Sequence, residues 1–315
     1  MTEPIAERYR QFAATEARGL SPLYEELTAA IAEDPELLRL LAGLPEDKQQ
    51  PNLFLAAARY AGGLATSYDQ FRRSVLERRD EVLATMRVRR TQTNEPARCA
   101  ALYPLLATLP QPLALLEVGA SAGLCLLPDR YRYEYDGRPA GAPDSALLLR
   151  SRIEGRFPHP GPISVAWRAG IDLNPLDVTD PDDVRWLETL IWPGEHDRLE
   201  RLHAALGIAR RDPPRIVRGD LNERLAAVAV QAPPEATLVV FHTAVLNYVD
   251  EPGRRAFVEQ VRGLGGHWIA QEGPGIVPDL AVPALKDQPV AYVLALDERP
   301  VGYSAPHGGW LRWGT

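Results

Sequence analysis

The chain is poor in the features that mark secreted, metal-bound or membrane-spanning proteins. It has two cysteines, Cys99 and Cys125, and no C-x-x-C spacing. A disulfide framework and a zinc ribbon are therefore not indicated, and a reducing cytoplasm is the expected location. No run of about 18 apolar residues occurs, so no segment is expected to cross a membrane. The start, Met1-Thr2-Glu3-Pro4, lacks the basic and apolar stretches of a secretory signal. Positive charge is in deficit, with a net charge of −7. That argues against a dedicated binder of nucleic acid or anionic membrane and leaves a small molecule as the expected partner. There is no internal repeat and no low-complexity tract.

What is present suits a large core. The chain has 315 residues, of which 45% are hydrophobic and 24% charged, so bulk disorder is excluded and one large or two ordinary domains fit. Residues 1 to about 109 read as all-helical. Ser21-Pro22 is an N-cap followed by proline at the first helical position, with Leu23, Leu27, Ala30 and Ile31 at the helical period. A second helix opens at Asp34-Pro35 and stops near Gly43, and a third opens at Pro51. Phe71, Val75, Val82 and Met86 mark one side of a single fourth helix, and a fifth runs from about Glu95 to Leu109. From Leu113 the pattern changes to short apolar runs alternating with helical stretches. Strands are predicted at Leu113–Val118, Ile163–Ile171, Arg215–Arg218, Thr237–His242, His267–Gln271 and Val290–Leu296. Helices are predicted after Gly119, Asp180, Asp220, Pro252 and Pro278. Such alternation predicts a mostly parallel α/β sheet. Val290–Leu296 and Val301–Ser304, joined at Asp297-Glu298-Arg299-Pro300, read as a hairpin that puts an antiparallel strand at one edge.

The densest chemical signal is Leu115-Leu116-Glu117-Val118-Gly119-Ala120-Ser121-Ala122-Gly123. A buried strand ends in an acid and runs into a glycine-rich turn, the way a Rossmann-like sheet presents a turn to a nucleotide-like ligand. A carboxylate at that point opposes a pyrophosphate and suits a cationic, amino-acid-bearing ligand. Later strand ends add polar groups: Asp172-Leu173-Asn174-Pro175, Gly219-Asp220-Leu221, and His242-Thr243 followed by Leu246-Asn247-Tyr248.

On these residues, 113–304 resembles a class I S-adenosylmethionine-dependent methyltransferase. The resemblance implies a Rossmann-like methyltransferase-type domain over 110–315, a helical N-terminal domain over 1–109, and S-adenosylmethionine as cofactor. The implied cofactor residues are Glu117, Gly119, Ala120, Ser121, Gly123, Asp172, Leu173, Asp220, Leu221, His242 and Thr243. His242 and then Glu272 are the candidate bases for an acceptor that must lose a proton. The 172 − 117 = 55 positions between Glu117 and Asp172 exceed the ~30 of a βαβ unit, which implies an insertion at about 128–162 carrying Tyr131, Tyr133 and Tyr135 on a strand. Tyr131, Tyr133 and the polar Gln92-Thr93-Asn94 segment are candidate substrate or lid residues. The whole chain also resembles the DUF2332 family of uncharacterised bacterial proteins, through Ser21-Pro22-Leu23-Tyr24, Gln50-Pro51-Asn52-Leu53, Gln92-Thr93-Asn94-Glu95, the glycine turn and Trp186–Pro193.

Other readings fit the same letters. A non-catalytic protein that binds the cofactor or a nucleotide needs the same turn. Gly119-Ala120-Ser121-Ala122-Gly123 also fits G-x-S-x-G, with Ser121 as nucleophile, His307 as base and Asp297 or Asp250 as its partner. Plain structural roles are open too. Glu117 would cap a following helix, Asp172 would form a turn, Asp220 would be an N-cap and His242 a core histidine. Thr93 or Asn94 would cap the fifth helix. His196, Glu200 and His203 share a helix face that reads as solvated rather than as a metal site, and Cys125 reads as a packing residue.

Overall fold

Proline and a polar residue before it decide where the first helices begin. In the computed structural model, which describes Thr2 to Gln288 and Val290 to Gly314, α1 (Glu3–Phe12), α2 (Pro22–Ala32), α3 (Pro35–Ala42) and α4 (Pro51–Gly62) each carry proline in their first turn. Ser21 Oγ accepts the Tyr24 N–H at 3.4 Å, and Asp34 accepts those of Glu36 and Leu37 at 2.8 and 3.1 Å. The expected fourth helix is two, α5 (Tyr68–Glu77) and α6 (Arg79–Val88), because Arg78 leaves the helical region at φ −111°, ψ 24°. The apolar period continues across that break, so the sequence does not reveal it. The expected fifth helix is a 3₁₀ turn at Pro96–Arg98 followed by α7 (Cys99–Leu106). Glu95 caps it by accepting the Ala97 N–H at 3.1 Å, in place of Thr93 or Asn94.

The chain divides into two compact units, 1–93 with 180–200, and 94–179 with 201–315. In the first, α8 (Pro181–Leu190) joins α1–α6. Trp186 is fully buried there and donates its indole N–H to the Arg90 carbonyl at 3.0 Å. Arg89 is paired with Asp182 and Asp183, and Trp192 packs on Phe12 and Tyr24 at 5.5 and 5.7 Å. Asp34 ties α3 to α5 by accepting from Tyr68 and Arg72 at 2.6 and 2.7 Å. α9 (His196–Ala209) begins in this unit and ends in the other.

The second unit holds an eleven-stranded sheet, so the protein is a mixed α/β chain with a large, mostly parallel sheet. Its strands are β1 (Leu113–Val118), β2 (Arg132–Tyr135), β3 (Arg138–Gly141), β4 (Leu148–Gly155), β5 (Val165–Asp172), β6 (Ile216–Arg218), β7 (Thr237–Thr243), β8 (His267–Glu272), β9 (Tyr292–Leu296), β10 (Arg299–Ser304) and β11 (Trp310–Trp313). The order is β3-β2-β4-β11-β10-β9-β8-β7-β1-β5-β6. Five strands, β6-β5-β1-β7-β8, are parallel to one another. β9 and β10 form the expected hairpin, antiparallel to β8 and to each other. It is not at an edge, however: β11 and the inserted β4, β2 and β3 continue the sheet beyond it. The insertion therefore extends the sheet.

α10 (Leu221–Ala229) and α11 (Glu251–Arg262) pack on one face. There Leu116, Val118, Ala169, Ile171, Val240, Trp268 and Ala270 meet Leu225, Val228, Phe257 and Val258. Among the described residues, the α-helices expected after Gly119 and Pro278 do not form. The turn instead leads to two single 3₁₀ turns, Leu124–Leu126 and Pro128–Arg130.

Candidate functional site

The parallel strands are laid down outward from β1, first through β5 and β6, then on the other side through β7 and β8. The order reverses between β1 and β7, and in open α/β sheets ligands bind beyond the carboxyl ends at that reversal. Glu117, the glycine turn, Asp172 and Thr243 all stand at those ends.

The turn spends its backbone donors internally. Gly119 and Ala120 N–H go to the Ile171 carbonyl at 2.8 and 3.1 Å, and Gly123 N–H to the Ala120 carbonyl at 2.7 Å. Ser121 N–H goes to Asp172 Oδ2 at 2.8 Å, and Ala122 N–H to Asn94 Oδ1 at 2.9 Å. Asn94 also donates to Ser121 Oγ at 2.5 Å, so its amide bridges the turn. With no α-helix following, Glu117 has no helix to cap and the turn offers no helix start to an anion. Gly119 has φ +71°, and a Cβ there would overlap Val245 Cγ2. Ala120 is buried, and Ser121 holds a left-handed φ of 50°.

Asp172 also accepts the Asn174 N–H at 2.7 Å, so it forms the turn after β5 while clamping the glycine turn. Leu173 beside it is 59% exposed, a large apolar surface at a strand end. Asp220 caps α10 through the Asn222 N–H at 2.8 Å, and Leu221 is buried behind it.

Glu117 and Glu272 are two buried acids that each keep one oxygen without a hydrogen bond among the described residues. Glu117 is 3% exposed, and its unbonded oxygen is Oε2. Burial pushes its carboxyl well above the ordinary range, Cys125 and Asp172 add to this, and Arg98 offsets only part. Arg98 is itself buried. It donates to the Thr243 carbonyl and Oγ1 at 2.8 and 3.3 Å and to the Pro306 carbonyl at 3.2 Å, with its guanidinium over the Tyr292 ring. Glu95 beside it is buried and accepts both Nε and Nη2 of Arg201.

His242 and Glu272 come together, but inside the core on the α11 side of the sheet. Trp268 Nε1 donates to His242 Nε2 at 3.0 Å, which leaves Nδ1 to donate to Glu272 Oε1 at 2.7 Å. Glu272 Oε1 also accepts the Val245 and Leu246 N–H groups at 2.7 and 3.0 Å. This is the core-histidine arrangement, with both ring nitrogens engaged.

Tyr131 and Tyr133 are fully buried and donate to the Leu124 and Pro128 carbonyls at 2.7 Å each, so they pin the insertion. Burial raises both phenols. Of the lid segment, Gln92 and Thr93 lie in the first unit and Asn94 in the second. The nucleophile constellation is not assembled. Ser121 Oγ faces Asn94, His307 lies 3.7 Å from Glu95, Asp297 meets His267 at 2.7 Å, and Asp250 caps α11. No group of three metal-ligating side chains occurs among the described residues, His196, Glu200 and His203 included. Cys99 and Cys125 are buried free thiols that donate to backbone carbonyls. No helix among the described residues is long and apolar enough to cross a membrane.

A family model described as an uncharacterised protein conserved in bacteria, DUF2332, matches residues 6–313. The chain belongs to the DUF2332 family. The match spans both compact units, so membership covers the helical first unit as well as the sheet. No curated protein and no solved structure gives a match.

Sequence reasoning missed Arg98, Val245 and Gln271. Arg98 sits next to the Gln92–Glu95 motif and was visible as a lone basic residue in an apolar helix start. Val245 and Gln271 carry no type or spacing that separates them from core residues.

Proposed function

We propose that this protein binds S-adenosylmethionine beyond the carboxyl ends of β1, β5, β6 and β7 and transfers its methyl group to a small molecule. The observation that carries this reading is the buried, unpartnered Oε2 of Glu117 at the reversal of the strand order. An unsatisfied buried acceptor costs about 1–3 kcal/mol, and a ligand ammonium recovers it. Three strand-end carboxylates and a turn whose amides are already used favour a cationic ligand over a pyrophosphate. Glu117 would take the ammonium, Asp172 the ribose hydroxyls and Asp220 an exocyclic amine, with Leu173 and Leu221 beside them. Gly119, Ala120, Ser121 and Gly123 shape the turn, and Val245 seals its glycine. When bound, the cofactor supplies an electrophilic methyl group. The chain's own contribution is orientation, since His242 and Glu272 are engaged with each other and with Trp268.

That engagement also favours a second reading, a binding protein without turnover. Calorimetry with S-adenosylmethionine and S-adenosylhomocysteine tests both. Binding weakened at least tenfold by Glu117→Leu is expected. No binding of either at millimolar concentration overturns both readings, and binding without methyl transfer to any acceptor selects the second.

A further inference from the structure

On the sheet face opposite α10 and α11, Gln271 has no part in the binding of the cofactor. Glu117 pairs with Phe241 across β1 and β7, and Thr243 pairs with Gln271 across β7 and β8. Side chains two apart on a strand share a face, so Glu117, Thr243 and Gln271 stand on one face, with Thr243 and Gln271 one step further along than Glu117. Gln271 is fully buried, and its Nε2 donates to Ser304 Oγ at 2.8 Å, which turns its carbonyl oxygen away from Ser304. That oxygen takes no hydrogen bond among the described residues. Glu117 and Gln271 are thus two enclosed, unsatisfied acceptors on that face, which also carries Thr243, the partner of Arg98.

We propose that Gln271 Oε1 receives an N–H of the methyl acceptor, which is a small neutral amine. The inference rests on the methyl-transfer reading of the Glu117 site. Two features choose the class. Gln271 is a neutral acceptor, and Arg98 is bonded to its cross-strand neighbour Thr243, so the position holds an amine and disfavours an ammonium. An alcohol must lose a proton to become a nucleophile, and His242 and Glu272 are engaged on the other face. An amine brings its own lone pair. That pair forms the new C–N bond, the C–S bonding pair returns to sulfur as the sulfonium becomes a neutral thioether, and the proton left on nitrogen goes to water. Gln271 acts here by holding the N–H so that the lone pair points away from it.

Thermal-shift and calorimetric titrations of the full chain test this. The probes are primary amines from ethylamine to benzylamine, with the matching methyl ethers as donor-free controls, in the presence of S-adenosylhomocysteine. Amines are expected to raise the unfolding midpoint and ethers to leave it unchanged. Gln271→Met, similar in shape but without the acceptor, is expected to lose the amine response at least tenfold in affinity while keeping S-adenosylhomocysteine binding within about threefold. Gln271→Glu restores an acceptor at the same reach and should regain the response with a new pH dependence. Equal responses to amines and ethers, or an amine response that survives Gln271→Met, overturn the inference while the cofactor reading stands. Failure of S-adenosylhomocysteine to bind overturns the cofactor reading instead, and the same amine and ether comparison on the free protein then decides Gln271 by itself.

Discussion

The indole N–H of Trp268 donates to Nε2 of His242 at 3.0 Å, inside the core beneath α11. This contact fixes the imidazole tautomer and sends the other ring N–H to Glu272. Trp268→Phe leaves Nε2 without its donor in a buried place. A loss of about 1–3 kcal/mol is expected from that acceptor alone. Urea unfolding reads it, and a ring-nitrogen NMR spectrum should show the Nδ1–H form in the wild type. An unchanged unfolding midpoint would show that the contact does not hold the core.

Glu117 predicts an unusual dependence on pH. Its carboxyl ionises above the ordinary 4.5 in the folded protein, so above that pH the folded state holds a proton that the unfolded chain has lost. Stability then falls as pH rises through that window, by up to about 1.4 kcal/mol per pH unit. Glu117→Gln removes the term. The variant should gain in thermal midpoint over the wild type between pH 5 and pH 8, most at the higher end. A parallel pair of curves refutes the prediction.

Asn94 bridges Ser121 Oγ and the Ala122 N–H. Asn94→Ala orphans both, and a loss of about 1–3 kcal/mol follows for the buried N–H. Hydrogen exchange at Ala122 should rise with it, while the amides of Gly119 and Ala120, held by Ile171, stay protected.

In the first unit, burial pushes the Asp34 carboxyl up. Tyr68, Arg72 and the Leu37 and Glu36 amides outweigh that and hold it at about 2. Its contribution is complete above the unfolded value of 3.8 and is lost as pH falls through about 2. Asp34→Ala should cost about 1–2 kcal/mol as a lost N-cap and abolish this acid step. Circular dichroism at pH 2 to 5 measures both.

Ser121 should stay unlabelled by a fluorophosphonate probe, since its hydroxyl meets the Asn94 amide and no base. Labelling that disappears in Ser121→Ala would restore the nucleophile reading.

The five parallel strands, the hairpin and most helix starts were legible because their signals are local. Asp34-Pro35 caps its own helix, and Leu113–Val118 is apolar because both faces of β1 are covered. The insertion was legible as excess length before Asp172. Its destination was not: β4 reaches β11 through backbone pairing, which leaves no mark on residue type. The same limit hid the break at Arg78 and the missing helix after Gly119, where the turn amides are satisfied by residues as distant as Ile171, Asp172 and Asn94.

By itself, the sequence determined the alternation of strands and helices, the acids at the strand ends and the glycine turn, since each follows from side-chain period and local backbone freedom. Only the tertiary structure decided which of those polar residues are used up. Hydrogen bonds are spent between residues far apart in the chain, so packing alone consigned His242, Tyr131 and Tyr133 to the core. The same packing left Glu117 Oε2 and Gln271 Oε1, with Glu272 Oε2 and others, as buried oxygens without a donor among the described residues.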